Sequence, residues 1–307
     1  MKRFTLSLLG LCAVAPAAMA DDRVLTDFAS EGSPLRWFSV NDGVMGGRSS
    51  GSFRVEDGVL KFSGVLNTNG GGFASIRTRG ADLGLKGFDG IRLRVKGDGR
   101  TYSARLQDSE GMRSASYRAE FKTTKSGDWQ DVWLPFRSFR ASWRGRELNR
   151  APIDPAKIQM IGITMADKQD GPFALEVDSI AAYAPFSMER YRSKSRPLVL
   201  FAPSAEDERL RKQVAAVLET AAPFAERDMV LIVVTEKGVS YAGTRPIRAE
   251  QAAALRKQFK IEPGAFALKL VGKDGGVKRT ETEPISPLKL YTQIDSMPMR
   301  QSEMRAD

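Results

Sequence analysis

Any chemistry in this chain must come from carboxylates, hydroxyls, amides and cations, because it holds no histidine and a single cysteine, Cys12. Zinc centres, Ser-His-Asp and Cys-His nucleophile systems and dithiol redox centres all need the missing residue types. Carboxylate catalysis, Ser-Lys chemistry, oxygen-ligand metal binding and binding without catalysis remain. The densest group of candidates is residues 37–51, W-F-S-V-N-D-G-V-M-G-G-R-S-S-G. Here Trp37, Asn41, Asp42, Met45, Gly46, Gly47, Arg48 and Ser49 place a carboxylate, a cation and a hydroxyl among glycines at the end of an apolar strand. Asn-Asp-Gly and Gly-Gly favour backbone angles that bulkier residues resist, so a tight loop of defined shape is expected. A second loop of the same character, residues 67–72, adds Asn69 and leads into Phe73 and Arg77. These eleven residues form the expected ligand- or partner-binding set.

Asp42, Asp108, Asp167 and Asp170 fall in loops, where a pair of carboxylates could hydrolyse a glycosidic bond. No spacing in the sequence brings two of them together, and a lone loop aspartate is most often a turn or cap residue. Asp167 and Asp170 are also calcium candidates, in company with backbone carbonyls. No catalytic residue and no cofactor is assigned.

The candidates need elements to hold them. From residue 35 to about 183, short alternating segments follow one another. Ile91-Arg92-Leu93-Arg94-Val95-Lys96 puts aliphatics on one face and cations on the other, as a half-buried strand does. Residues 102–107, 117–122, 131–136, 160–164 and 173–177 repeat the scheme between turns such as Gly97-Asp98-Gly99. About ten short strands and no long helix predict two antiparallel sheets face to face, a jelly-roll β-sandwich over residues 24–185. The cations Arg92, Arg94, Lys96 and Arg105 would join into one basic patch if their strands were neighbours; a solvated outer face is the default. Trp133 is expected in the core, and Trp143, between Arg140 and Arg144, at the surface.

Residues 186–196, F-S-M-E-R-Y-R-S-K-S-R, are polar and aperiodic and run into Pro197, which predicts an interdomain linker. Beyond it the runs Leu198-Val199-Leu200-Phe201 and Met229-Val230-Leu231-Ile232-Val233-Val234 are continuously apolar, as buried parallel strands are. Leu210, Val214, Val217 and Leu218 make the buried stripe of a helix between them. A helix at 248–259, a strand at 265–271 and a helix at 286–294 complete a small α/β domain over residues 197–307, three-layered or thioredoxin-like. Met297, Met299 and Met304 offer either an adaptable contact surface or a tail folded back on its own core.

Lys2 and Arg3 precede an apolar run, and Ala18-Met19-Ala20 follows it, so residues 1–20 read as a signal peptide cleaved after Ala20, with export to the periplasm. The run is too short for a permanent bilayer span, and the mature chain is expected to have no transmembrane segment. The net charge of +10 drops to +8 without Lys2 and Arg3, a balance that favours acidic partners. Export argues against nucleic acid.

The sandwich segment resembles the family of the mitochondrial complex I intermediate-associated assembly factor of thirty kilodaltons. The resemblance rests on residues 41–49, 72–77 and 96–102, on Trp129-Gln130 and Leu134-Pro135-Phe136, and on Asp170-Gly171-Pro172-Phe173. It implies a galactose-binding-like jelly roll and a role in assembly. The C-terminal segment resembles an uncharacterised bacterial thioredoxin-like family through residues 200–203, 270–278 and 294–300. Where redox-active thioredoxins carry Cys-x-x-Cys, this chain has Ser204-Ala205-Glu206-Asp207, so thiol exchange is excluded. The expectation is an exported, non-catalytic binding or assembly protein that meets a partner protein or an envelope glycan. A carbohydrate-binding module or carboxylate-based glycosidase is the alternative.

Overall fold

The computed structural model describes residues 22–29, 35–108, 116–143 and 146–306. The chain divides into two compact units, Asp21–Pro185 and Phe186 onward. The expected signal peptide lies outside the described residues.

The first unit is built from strands. In chain order these are β1 (Arg23–Thr26), β2 (Trp37–Asn41), β3 (Ser50–Glu56), β4 (Val59–Leu66), β5 (Ala74–Thr78), β6 (Gly90–Gly97) and β7 (Thr101–Gln107). There follow β8 (Ser116–Lys122), β9 (Gln130–Pro135), β10 (Arg140–Trp143), β11 (Arg146–Glu147), β12 (Met160–Met165) and β13 (Gly171–Tyr183). Two sheets result: a six-stranded one in the order β3-β4-β13-β6-β9 with β1 on β13, and a seven-stranded one in the order β11-β10-β8-β7-β12-β5-β2. Every pairing in both is antiparallel. One apolar cluster joins Leu60, Phe62, Leu93 and Leu175 of the first sheet to Ile76, Leu106, Phe121 and Ile163 of the second. The unit is a β-sandwich.

Register settles two expectations. β6 and β7 lie in different sheets, so Arg105 is separated from Arg92, Arg94 and Lys96 and no joint patch forms. Those three are paired instead, Arg92 with Asp131 at 3.5 Å, Arg94 with Asp178 at 3.7 Å and Lys96 with Glu176 at 3.4 Å. Trp133 is not a core residue. β9 directs Val132 and Leu134 inward opposite Leu93 and Ile91, so Trp133 faces outward opposite Arg92. Its ring lies under the Arg92 guanidinium at 5.7 Å and edge-on to Tyr183 at 5.1 Å. Trp143 is half-buried at the end of β10.

The second unit is α/β. Its elements are β14 (Arg196–Ser204), α1 (Glu208–Glu219), α2 (Ala221–Glu226), β15 (Met229–Lys237), β16 (Ser240–Ala242), β17 (Arg245–Ile247), α3 (Ala249–Gln258), β18 (Ala267–Val271), β19 (Val277–Glu281), α4 (Pro287–Asp295) and α5 (Pro298–Ala306). The sheet order is β17-β16-β15-β14-β18-β19, with β14 and β15 parallel and β18 and β19 antiparallel. β14 is buried on both faces: Leu198 and Leu200 meet α1 and α4, while Val199 and Phe201 meet α3. Leu218 is not in the α1 stripe; it is 39% exposed. The segment expected to link the units belongs to this body, because Phe186 and Tyr191 are buried against the Val199 face.

The C-terminal helix is fastened by charge. Arg196, buried at the start of β14, donates to both Glu303 oxygens at 2.9 and 3.0 Å, and the Lys273 ammonium reaches Glu303 at 2.7 Å. Met297 packs on the core while Met299 and Met304 stay exposed. Burial alone would raise the Glu303 pKa, but Arg196 and Lys273 outweigh it and hold it at about 2. A carboxylate depressed in the folded state stabilises fully above its unfolded pKa and loses that contribution as pH falls toward the folded one. Glu303→Gln is expected to lower the stability of this unit by about 2 kcal/mol at neutral pH. It should also flatten the decline between pH 5 and 2, measured by calorimetry of the full chain.

Candidate functional site

The loop after β2 is organised from inside by Asp42. Asp42 opens a 3-10 turn, Asp42–Met45, that Gly46 ends in the left-handed region at φ 85°. Its side chain is fully buried. One carboxylate oxygen accepts from the Ser49 amide at 2.8 Å; the other accepts from the Ser49 hydroxyl at 2.6 Å and the amides of Gly72 at 2.6 Å and Phe73 at 3.3 Å. The Asp42 amide donates to Phe73 O, and Gly47 N–H donates to Asp42 O. One carboxylate therefore holds both glycine-rich loops. A buried carboxylate is tolerable only with such a set of donors. Burial pushes its pKa up, but the Ser49 hydroxyl and the amides of Gly72, Ser49 and Phe73 overcome this and hold it below the ordinary value. Gly47 and Gly71 are needed for close approach: a Cβ on either would overlap the Asp42 side chain.

From this hub a chain of hydrogen bonds crosses the end of the sandwich. Ser49 Oγ accepts from Asn67 N at 3.1 Å, and Thr68 N donates to Asp170 at 2.6 Å. Arg100 forks onto Asp167 at 2.9 and 2.5 Å and donates to the carbonyls of Gln169, Gly171 and Pro172. Its own carbonyl accepts from Thr123 Oγ1 at 3.0 Å. Asp98 accepts from Tyr102 OH and Ala174 N at 3.0 and 2.9 Å. Five loops are thereby fixed to one another.

The expected binding set divides accordingly. Asp42 and Ser49 are internal fasteners. Trp37 packs against the core and against Phe28 at 6.0 Å; Asn41 donates to Gly51 O at 3.0 Å. Gly47 and Phe73 are half-buried. Met45, Gly46, Arg48 and Asn69 are exposed, as is Val44, which sequence reasoning did not single out. Val44 is 75% and Met45 58% exposed. Arg77 lies away from them on β5, on the outer face of the seven-stranded sheet opposite Gly162. Arg100 was also missed as a functional group, though Gly-Asp-Gly-Arg had marked its turn.

Of the four loop carboxylates, Asp108 is exposed at the far end of β7, away from Arg100. Asp42, Asp167 and Asp170 share the loop end, where each is engaged by hydrogen-bond donors. Burial would raise the Asp167 pKa, yet the Arg100 fork and the Gln169 amide hold it low. A glycosidase acid must instead be held protonated near neutrality. Asp167 gives both oxygens to Arg100, and Asp170 gives one to Thr68. Among the described residues no group of three or more acidic, histidine or cysteine side chains is placed to hold a metal.

Residues 26–177 match the family described as Complex I intermediate-associated protein 30. The chain is 32% identical over 197 residues to an uncharacterised protein of Schizosaccharomyces pombe, spanning 90% of that protein and 54% of this chain. The chain belongs to the complex I intermediate-associated protein 30 family. The mouse mitochondrial protein of that name is 29% identical over 209 residues, which cover 59% of this chain. The chain spans 62% of that mouse relative. Residues 187–303 match a domain family of unknown function, DUF4174. Among solved structures, a family 11 carbohydrate-binding module of Clostridium thermocellum is 18% identical and covers 53% of this chain and 96% of its own, with a TM-score of 0.41.

Membership corrects the expected location. The mouse relative is mitochondrial by name, as is one from Caenorhabditis elegans that is 31% identical over 102 residues, 32% of this chain and 30% of its own. Export with cleavage after Ala20 is therefore withdrawn, and a basic start with a short apolar run does not by itself specify a compartment. Among the described residues no helix is long and apolar enough to cross a membrane.

Asp42→Asn replaces an acceptor-only group by one whose NH2 faces amide donors. We expect it to cost about 3 kcal/mol at neutral pH. Because the Asp42 pKa is lowered on folding, the wild-type advantage is complete at neutral pH and closes as pH falls through the carboxylate range. Paired denaturant titrations at pH 7 and in acid check both statements. Gly47→Ala should destabilise by about 2 kcal/mol through overlap with the carboxylate.

Proposed function

We propose that the chain is a non-catalytic binding protein of the assembly-factor kind, and that the Asp42-held loop is its contact with a partner protein. The observation that carries this is the 3-10 turn Asp42–Met45. It displays Val44 and Met45 to solvent while its first residue is locked inside by four hydrogen bonds. Exposed apolar side chains on a preorganised turn lose little entropy on binding and suit the centre of an interface. Arg48 and Asn69 provide a polar surround of the kind that borders such centres. Kinship with a protein named for a complex I intermediate supports a partner met during assembly. Asp42 and Asp167 at this end are held ionised by their donors, which favours binding over acid catalysis.

The second unit we read as a thioredoxin-like scaffold without thiol chemistry. Support comes from the parallel β14-α1-β15 unit, with the antiparallel β18-β19 hairpin on the other side of β14. Where a dithiol would stand, Asp207 caps α1 by accepting from Arg209 N at 2.9 Å and Leu210 N at 3.2 Å.

Val44→Asp with Met45→Asp leaves the Asp42 fasteners in place, so the unfolding temperature should stay within about 2 °C of wild type. Captured from its own cells by cross-linking and mass spectrometry, the tagged wild-type chain is expected to bring down a partner that the double variant loses. Retrieval of the same partner by both proteins would move the contact off this loop. Absence of any partner would overturn the assembly reading and direct the search to glycans and small ligands.

A further inference from the structure

The outer face of the seven-stranded sheet carries a row that the loop site does not use. Registers align Arg118 of β8 with Arg105 of β7, Arg105 with Gly162 of β12, and Gly162 with Arg77 of β5. Their neighbours Ile76, Ala104, Ala119 and Ile161 enter the core, so the row faces away from it. All three arginines are half-buried. Arg77 Nε donates to Ser75 Oγ and Arg105 Nε to Gln107 Oε1, each at 3.2 Å, while Arg118 Nε is buried without a partner. Among the described residues none of the three forms an ion pair, and what shifts them is burial and, for Arg77 and Arg105, the other arginines. Burial and then mutual repulsion push Arg77 down to about 10 and Arg105 to about 9, which leaves both charged at neutral pH.

This is costly unless something answers it. Like charges held together in a half-buried row destabilise the fold that holds them. Arg92, Arg94 and Lys96 of the other sheet each meet an acid; among the described residues these three arginines make no such pair. Arg77, Arg105, Gln107 and Met160 border a shallow indentation of the surface above Gly162. A side chain at 162 would collide with Ile76 O, so the gap is kept open by the backbone. In the adjoining row of the same face, Thr164 aligns with Ser75 and Ser103. Its hydroxyl is buried, with the residue 1% exposed, and has no partner.

We propose that Arg77, Arg105 and Arg118, in one row with Gly162, form a binding site for the phosphate group of a small ligand. Guanidinium forks match phosphate oxygens in pairs, and three cations suit a dianion better than a single carboxylate. The half-buried Ser103 hydroxyl beside the row is a donor for one of the ligand's remaining oxygens. Free phosphate and a phosphate monoester share this chemistry.

Isothermal titration of the full chain at constant ionic strength separates the outcomes, with inorganic phosphate, glycerol 2-phosphate and acetate as probes. Saturable binding of either phosphate compound, with acetate weaker by about tenfold or more, is the expected result. Binding of glycerol 2-phosphate indicates an esterified ligand; binding of inorganic phosphate alone indicates the free ion. Arg105→Gln should lose about tenfold in affinity, and Arg77→Gln with Arg105→Gln should abolish binding. Arg105→Lys keeps the charge without the fork and should fall between wild type and Arg105→Gln. Without ligand, Arg105→Gln should unfold no earlier than wild type, since it removes a repelling charge; a structural arginine would behave oppositely. No saturable heat with either phosphate compound, equal binding of acetate, or undiminished binding by the double variant would each overturn the proposal.

Discussion

The loop end of the sandwich depends on one buried carboxylate. Without Asp42, the amides of Ser49, Gly72 and Phe73 would be left facing each other's positive ends across a space closed to water. With it, a turn and a loop about thirty residues apart share one acceptor, and the glycines at 47 and 71 become a steric requirement of that acceptor. The turn that shows Val44 and Met45 to solvent is rigid for this reason. Its outer surface is free to carry contact residues because its inner residue carries the structure.

Much of this architecture was legible from the residues. Alternation at residues 91–96 identified a half-buried strand, and the continuous apolar runs at 198–201 and 229–234 identified strands covered on both faces. Asn-Asp-Gly and Gly-Gly located the loops. The direction of Asp42 was not legible: a carboxylate among glycines has the composition of an exposed turn, and only the distant Gly72 and Phe73 amides draw it inward. Trp133 was misread for a related reason. A two-residue alternation predicts two faces without saying which of them is covered, and the neighbours Val132 and Leu134 take the inner one. The segment 186–196 reads as linker because its few apolar residues, among them Phe186 and Tyr191, are diluted by charge, yet both are buried. Residues 26–177 carry the family membership; the compartment inferred from the N-terminus did not survive the comparison with mitochondrial relatives.

The two sheets of the sandwich treat cations differently, and sequence alone does not distinguish them. Arg92, Arg94 and Lys96 alternate with aliphatics just as Arg105 does with Ala104 and Leu106. Strand order decides the difference. β6 sits between β13 and β9, which present Glu176, Asp178 and Asp131, whereas β7 sits between β8 and β12, which present Arg118 and Gly162 across from Arg105. Net charge therefore says little about where an anion would bind; the register of neighbouring strands says much more.

Both units also fasten distant segments with buried ions, Arg100 to Asp167 in the first and Arg196 to Glu303 in the second. Such pairs add little net stability, because removing two charges from water costs about as much as their attraction returns. What they supply is direction. An apolar contact tolerates sliding, while a guanidinium fork on a carboxylate accepts one geometry and penalises the rest. At the loop end the Arg100 fork also reaches three carbonyls, so the 167–172 loop has its backbone as well as its side chain prescribed. A binding surface made of loops needs this kind of constraint more than it needs extra stability. Hydrophobic burial in the core can set how firmly the unit folds, but it leaves loop positions undetermined, and the ions placed among those loops determine them.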